Sequence, residues 1–317
     1  MFELFKQRNF SENISDTIAF FKTFGKHYFK NYFIINGVLL MILMVLVYFI
    51  SKVYMEFLTS ITQGINPNPD YFGNYFTENI GIFIGGFILF LFITILLSVI
   101  NIAYPIIYLD FIEKRNDTSF THTDIINEIK KNFGRIFLFI LGLIFIVTPL
   151  LLIAFAISAV LCIVLIGIPI LFILIFATTS FIALSFQEYM VKKIGFFEAL
   201  GVGYNLVKQN FWTTVGTTFV MAFLIQTIQG IITMVPYIIG MILIFTSSQN
   251  VAENDPSQAM GTFSILFTVI MVASILLSYV FHNFQMITQG LIYYSLREEN
   301  EENNSKSQID LIGTDSE

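Results

Sequence analysis

Residues 136–187 read IFLFILGLIFIVTPLLLIAFAISAVLCIVLIGIPILFILIFATTSFIALSFQ, a run without a single charged side chain. A helix over this run would be roughly 78 Å long at about 1.5 Å per residue, while a bilayer core is about 30 Å thick. The run is too long for one crossing and long enough for two. Gly167-Ile168-Pro169 is the favoured break, because proline removes a backbone donor and glycine admits a tight turn. The stretch therefore predicts a pair of membrane-spanning helices, 136–163 and 167–190.

Outward from this pair, further apolar segments lie at 33–53, 80–109, 211–246 and 261–296. The run 211–246 is short for two full crossings, and we read it as one span, bent or broken near Pro236. Composition agrees with the class. The chain is 56% hydrophobic and 12% charged, whereas a soluble domain is about half apolar and a quarter charged. The expected fold is an all-α polytopic membrane protein with six transmembrane helices. The N-terminal residues lack the apolar core and cleavage site of a secretory signal, so the first span is expected to be retained.

The basic residues set the orientation, since cytoplasmic loops accumulate lysine and arginine. Lys6, Arg8, Lys22, Lys26 and Lys30 precede span one. Lys114, Arg115, Lys130, Lys131 and Arg135 follow span two, Lys192, Lys193 and Lys208 follow span four, and Arg297 and Lys306 follow span six. Only Lys52 falls on the opposite side, where the loops otherwise carry the acids Glu56, Asp70, Glu78, Glu253 and Asp255. Both termini are thus expected in the cytoplasm. Three regions follow: an N-terminal cytoplasmic segment with an amphipathic helix at 1–31, a six-span membrane domain at 32–297 and a tail at 298–317. From Arg297 onward the chain holds seven acids and two bases, a composition that predicts disorder. That tail supplies most of the net charge of −6, leaving no nucleic-acid-binding face.

Each odd-numbered span is preceded by apolar residues at helical spacing: Ile14, Ile18, Phe21, Phe24, Tyr28 and Tyr32; Ile126, Ile129, Phe133 and Ile136; Phe197, Leu200, Tyr204, Val207 and Phe211. Such spacing marks an amphipathic helix suited to the headgroup region. Asn13 or Ser15, and Thr121 or Thr123 ahead of Asp124, are candidate N-caps. Each helix enters its span through an Asn-aromatic pair, Asn31-Tyr32, Asn132-Phe133 or Asn210-Phe211. Spans two and four exit through Asp110 and Glu188, each followed four residues later by a lysine, Lys114 or Lys192; span six departs, with Tyr293 in the acid's place. These matches predict three repeated units, each a surface amphipathic helix followed by a helical hairpin.

The segment Ser185-Phe-Gln-Glu-Tyr-Met-Val-Lys-Lys-Ile-Gly-Phe-Phe-Glu-Ala-Leu, with Asn205-Leu-Val-Lys-Gln-Asn-Phe-Trp after it, resembles the integral-membrane-domain family attached to some bacterial glycerophosphodiester phosphodiesterases and its stand-alone relatives. In that family a span ends in an acid, an amphipathic helix follows, and a Lys-x-Asn-aromatic sequence opens the next span. The resemblance covers residues 165–235 best. It implies an accessory protein of the bacterial plasma membrane. Phosphodiesterase chemistry belongs to the family's separate soluble barrel and is not carried over.

Five polar residues within the spans are candidate sites. Asp110 and Glu188 either line an inward-facing vestibule for a cation or headgroup, or pin helix ends as ion pairs with Lys114 and Lys192. Boundary charges cost little, which favours the second reading. Gln226 and Gln229 share a face of span five with several threonines, favouring interhelical packing over a substrate path. His282 is expected, with Asn283, Gln285 and Gln289, where span six reaches water. Gly81, Gly85 and Gly86 in span two permit close helix contact.

The lone Cys162 excludes an internal disulfide, and His27, His122 and His282 share no spacing that would hold iron, as a carotenoid-cleaving oxygenase requires. No nucleophile and base pair, phosphate-binding loop or dinucleotide motif appears. No cofactor and no metal are expected. The reading is a non-enzymatic accessory, scaffolding or lipid-interacting protein, with the bilayer, a membrane-protein partner or a second copy as its neighbours. The alternative is a transporter or channel for a small molecule or lipid, as internal repeats and broken helices suggest.

Overall fold

The computed structural model describes residues 2–62, 77, 79–115, 117–249 and 256–314. The structure is helical: α1 (Phe10–Thr62), α2 (Ile80–Arg115), α3 (His122–Gly142), a π-helical turn (Leu143–Val147), α4 (Thr148–Leu161), α5 (Gly167–Lys192), α6 (Phe196–Gln209), α7 (Phe211–Gln249) and α8 (Pro256–Thr314). Six helical stretches among the described residues are long and apolar enough to cross a membrane. They carry large side chains that a soluble surface would hide. Phe145 is 73% exposed, Ile82 76% and Ile163 83%. Such a continuous apolar exterior fits lipid as the solvent. The chain is a multi-pass α-helical membrane protein.

Local chemistry explains most helix boundaries. Asn9 caps α1: its side chain accepts from the Glu12 N–H at 3.0 Å, and the Glu12 carboxylate accepts from the Asn9 N–H at 2.9 Å. This reciprocal box satisfies two free N-terminal donors. The caps proposed at Asn13 or Ser15 are corrected, since both lie inside the helix. At α3 the cap is Thr121, whose N–H donates to Asp124 at 2.8 Å. The π turn stands immediately before Thr148-Pro149. Proline at 149 has no N–H for the Phe145 carbonyl and crowds it, and the wider turn accommodates that defect. The break between spans three and four falls at Leu165, which has φ 63°. That is slightly ahead of the expected Gly167-Ile168-Pro169, which instead opens α5.

One expectation is corrected here. The amphipathic segments of the first two units are not separate helices. Each continues into its span, α1 and α3, with no proline to interrupt either. Only the third unit keeps a distinct amphipathic helix, α6, separated from α7 by Asn210 at φ −127°, ψ 56°. Helix α7 is the single span expected and passes through Pro236 without a break, since the bilayer strongly favours keeping the remaining backbone bonds closed. Helix α8 runs from Pro256 to Thr314. No proline interrupts 298–314, and Arg297 pairs with Glu301 one turn on, so the span propagates outward. The loop acids Asp70, Glu78, Glu253 and Asp255 lie outside the described residues.

The chain divides into two compact units. The first comprises Met1–Ile35, Val99–Leu224 and His282–Glu317. Its core is aromatic, with Tyr28, Tyr104, Tyr108, Phe120, Phe139, Phe186, Tyr293 and Tyr294 all buried. Helix α6 packs along α5 where Gly203 meets Ser185. Arg135 fastens the end of α5. Its guanidinium donates to the carbonyls of Tyr189 (2.7 Å) and Ile194 (2.9 Å) and lies over the Tyr189 ring. The helix C-terminus there turns through Lys193, in the left-handed region at φ 56°. Lys193→Gly is accordingly expected to raise stability by up to about 1 kcal/mol, read as the thermal midpoint of the purified protein.

The second unit comprises Asn36–Ser98 and Ile225–Phe281. It is more purely aliphatic, burying Leu40, Leu43, Val47, Ile93 and Leu97. Tyr54 stacks on Phe267 at 6.3 Å between centroids. Gly240 approaches Leu266 closely, whereas Gly81, Gly85 and Gly86 meet nothing within 4 Å.

Candidate functional site

The polar chemistry concentrates in the first unit, in three layers. The first layer joins acids from α2 and α5 to tyrosines of α8. The Tyr293 hydroxyl donates to Glu188 at 2.5 Å, and the adjacent Tyr294 hydroxyl donates to Glu113 at 2.7 Å. Arg297, one turn on, lies over the Tyr293 ring and over Phe5. The residue standing in place of span six's acid is thus the partner of span four's acid. Asp110 forms the expected ion pair with Lys114 at 2.5 Å. Glu188 does not pair with Lys192; it is buried and turned to Tyr293, while Lys192 is exposed.

The N-terminal segment packs on this layer. The Arg8 N–H donates to the Ser295 hydroxyl at 2.7 Å, and Phe5 meets Tyr294 edge-on at 5.1 Å. The Arg8 guanidinium is buried, donating to the carbonyls of Glu3, Leu4 and Lys6 and to Asp16 at 2.9 Å. Burial pulls the Arg8 pKa down, and the Asp16 contact opposes that shift. An arginine stays protonated under such conditions.

The second layer is tyrosine-rich. Tyr28 donates to Asn283 (2.7 Å), Tyr32 to Asn101 (2.9 Å) and Tyr104 to the Tyr28 carbonyl (2.6 Å). His27 has Nε2 3.0 Å from the Phe120 carbonyl and Nδ1 2.9 Å from the Tyr108 hydroxyl. A carbonyl only accepts, so Nε2 is the donor in that contact. This layer corrects the expectation that Asn283 and its neighbours reach water: Asn283 and Gln289 are at most 1% exposed. Helix α8 continues past residue 282, carrying these amides into the core of the first unit.

The third layer centres on Thr218 of α7. Its hydroxyl donates to the Thr214 carbonyl and meets Ser180 of α5 at 2.7 Å. Gln289 Nε2 donates to that same hydroxyl at 2.8 Å, and Gln285 Nε2 approaches the Thr218 carbonyl at 3.4 Å. Beside this network lies a cavity of about 250 Å³, walled by Phe139, Leu143, Ile182, Phe186 and Met286 and edged by Thr179, His282, Gln285 and Gln289.

The chain matches no protein-family model, no curated protein and no solved structure. The geometry brings Glu188 into the tyrosine–carboxylate layer and His282 to the cavity edge. It leaves Asp110 in its own ion pair on α2. Gln229 lies apart, in the second unit, donating to Ser278 (2.6 Å) and to the Ser274 carbonyl (3.2 Å) on α8. Gln226 is exposed on α7. Gln229 is thus a packing residue. Gln229→Leu is expected to lower stability by about 0.6–1 kcal/mol, and Gln226→Leu to leave it unchanged or higher, both read by thermal unfolding in detergent.

Sequence reasoning placed Tyr28 and Tyr32 on an apolar stripe but missed their hydroxyl partners, which come from distant spans. It also passed over Tyr104 and Tyr108, whose four-residue spacing on α2 was the available signal. Among the described residues, no group of three histidine, cysteine, aspartate or glutamate side chains is arranged to hold a metal ion.

Proposed function

We propose that this chain is a non-enzymatic, lipid-interacting accessory protein of the bacterial plasma membrane, with both termini in the cytoplasm. The observation that carries the reading is how the acids of the first unit are engaged. Asp110 is tied to Lys114, Glu113 to Tyr294 and Glu188 to Tyr293. An acid or base for catalysis must be within reach of a substrate proton, and these carboxylates are committed to helix-joining contacts. The exposed apolar flanks provide a large lipid contact. Clustering of fifteen of the sixteen basic residues on alternate loops supports the cytoplasmic termini. The resemblance carried by residues 185–212 supports an accessory role beside other membrane proteins or a second copy.

One observation favours the transporter alternative. The oxygens of Thr214, Thr217, Gln285 and Gln289 are buried without partners, and buried polar groups lining a membrane helix can mark a solute path. Reconstitution separates the two. The accessory reading expects vesicles bearing the protein to show neither turnover of labelled phospholipid nor saturable solute flux, and expects added lipid to raise the protein's thermal midpoint. Turnover would contradict it outright. Flux abolished by Thr218→Val would establish the transporter.

A further inference from the structure

We infer that the cavity beside Thr218 is a binding site for a neutral, single-chain lipid with a hydroxyl head, an inference that rests on the lipid-interacting reading above. The argument begins with depth. Thr179 lies halfway along α5 (Gly167–Lys192), and Gln285 lies twelve residues, about 18 Å of helix, before Arg297, the first charge that closes span six. The cavity they edge therefore sits at the level of the hydrocarbon core, where a phosphate or ammonium headgroup is costly. Access comes from the lipid side. Thr179 both edges the cavity and is exposed, on a helix whose neighbouring Phe172 and Ile175 are exposed as well.

Size and wall chemistry then select an apolar chain. About 250 Å³ exceeds the roughly 150 Å³ of an apolar cavity known to stay dry and take up benzene. The walls are Phe139, Leu143, Ile182, Phe186 and Met286, with Ala183 adding a single methyl. Leu143 also opens the π turn, a widened backbone of the kind that recurs at functional sites.

The head chemistry follows from the two glutamines. Gln285 Nε2 faces the Thr218 carbonyl, which only accepts, so the amide orientation is determined and Oε1 is its free acceptor. Gln289 Nε2 faces the Thr218 hydroxyl, whose own proton goes to the Thr214 carbonyl, so its Oε1 is likewise the free acceptor. Both Oε1 atoms are buried and have no donor among the described residues. Gln285 and Gln289, one helical turn apart, thus carry two unanswered carbonyl oxygens beside an apolar cavity, and a ligand head reaches them by shifting the half-buried Gln285 side chain. A hydroxyl supplies a donor without adding charge. An alkane supplies none, and a methyl ether offers only an acceptor.

The test uses the full chain in detergent and dodecanol bearing a mid-chain diazirine. On illumination, crosslinks are expected within 139–143, 182–186 and 285–289. Unlabelled dodecanol is expected to displace the probe at roughly tenfold lower concentration than dodecyl methyl ether, the size of one good hydrogen bond. Gln285→Met is expected to narrow that ratio while retaining labelling. Ala183→Phe is expected to abolish labelling by filling the cavity. Met286→Ala, which enlarges it, is expected to shift the preferred alcohol to a longer chain, and it serves as the test should Ala183→Phe fail to fold. Dodecane or phosphatidylethanolamine competing as well as dodecanol would overturn the inference, as would labelling unaffected by the cavity variants. Dodecanoic acid outcompeting dodecanol would overturn the hydroxyl assignment. The recovered probe separates this result from the broader reading. Absent labelling sinks the pocket alone, whereas chemical conversion of the probe sinks the non-enzymatic reading.

Discussion

Gly203→Val is expected to destabilise the protein by about 3 kcal/mol or more, the upper end of the range for overpacked cores. A β-carbon at residue 203 would lie 2.0 Å from the Ser185 hydroxyl, 2.8 Å from its backbone nitrogen and 2.9 Å from its Cα. The hydroxyl can rotate away. The backbone belongs to a buried turn of α5 and can retreat only by pushing α5 and α6 apart. Gly201 is the internal control: two residues away on α6, it is exposed and would meet nothing within 4 Å. Gly201→Ala is therefore expected to gain up to about 1 kcal/mol from helix propensity. Thermal unfolding of both purified variants checks the pair, and the opposite signs are the point. Equal effects would mean that α6 does not rest on α5.

Tyr293→Phe is expected to cost about 1.5–3 kcal/mol, because it removes the donor from a buried carboxylate. Tyr293 is fully buried and Glu188 only 9% exposed, so water cannot readily substitute. The neighbouring Arg297 offers charge over the ring but not the missing hydrogen bond. Combining Tyr293→Phe with Glu188→Leu is expected to recover part of the loss, since an apolar pair leaves no orphaned group. A double-mutant cycle measures the coupling. Additive single effects would show that the two side chains do not interact.

What the sequence reveals follows the range of each interaction. The spans were legible because lipid demands hydrocarbon-length apolar runs, and 136–187 cannot be read otherwise. The Asp110–Lys114 pair was legible because both partners lie one turn apart. Glu188 has the same local pattern, yet its partner lies 105 residues away. The separation of α6 from α7 and the continuity of α1 were not legible, since the same Asn-aromatic pair precedes all three spans. Only at Asn210 does the backbone leave the helix. Asn283 and Gln289 were misplaced for a related reason. A polar cluster near a predicted helix end suggests water, but here Tyr28 and Thr218 supply the hydrogen-bonding partners from other helices. The cavity left no local mark at all, because its walls come from four segments of chain.

Cysteine accessibility tests the six-span arrangement most directly. In a Cys162→Ser background, Thr118→Cys and Asn254→Cys place single thiols after span two and after span five. With a membrane-impermeant maleimide, Asn254→Cys is expected to label in intact cells and Thr118→Cys only after lysis. Labelling of Thr118→Cys in intact cells, or protection of Asn254→Cys until lysis, would contradict the account.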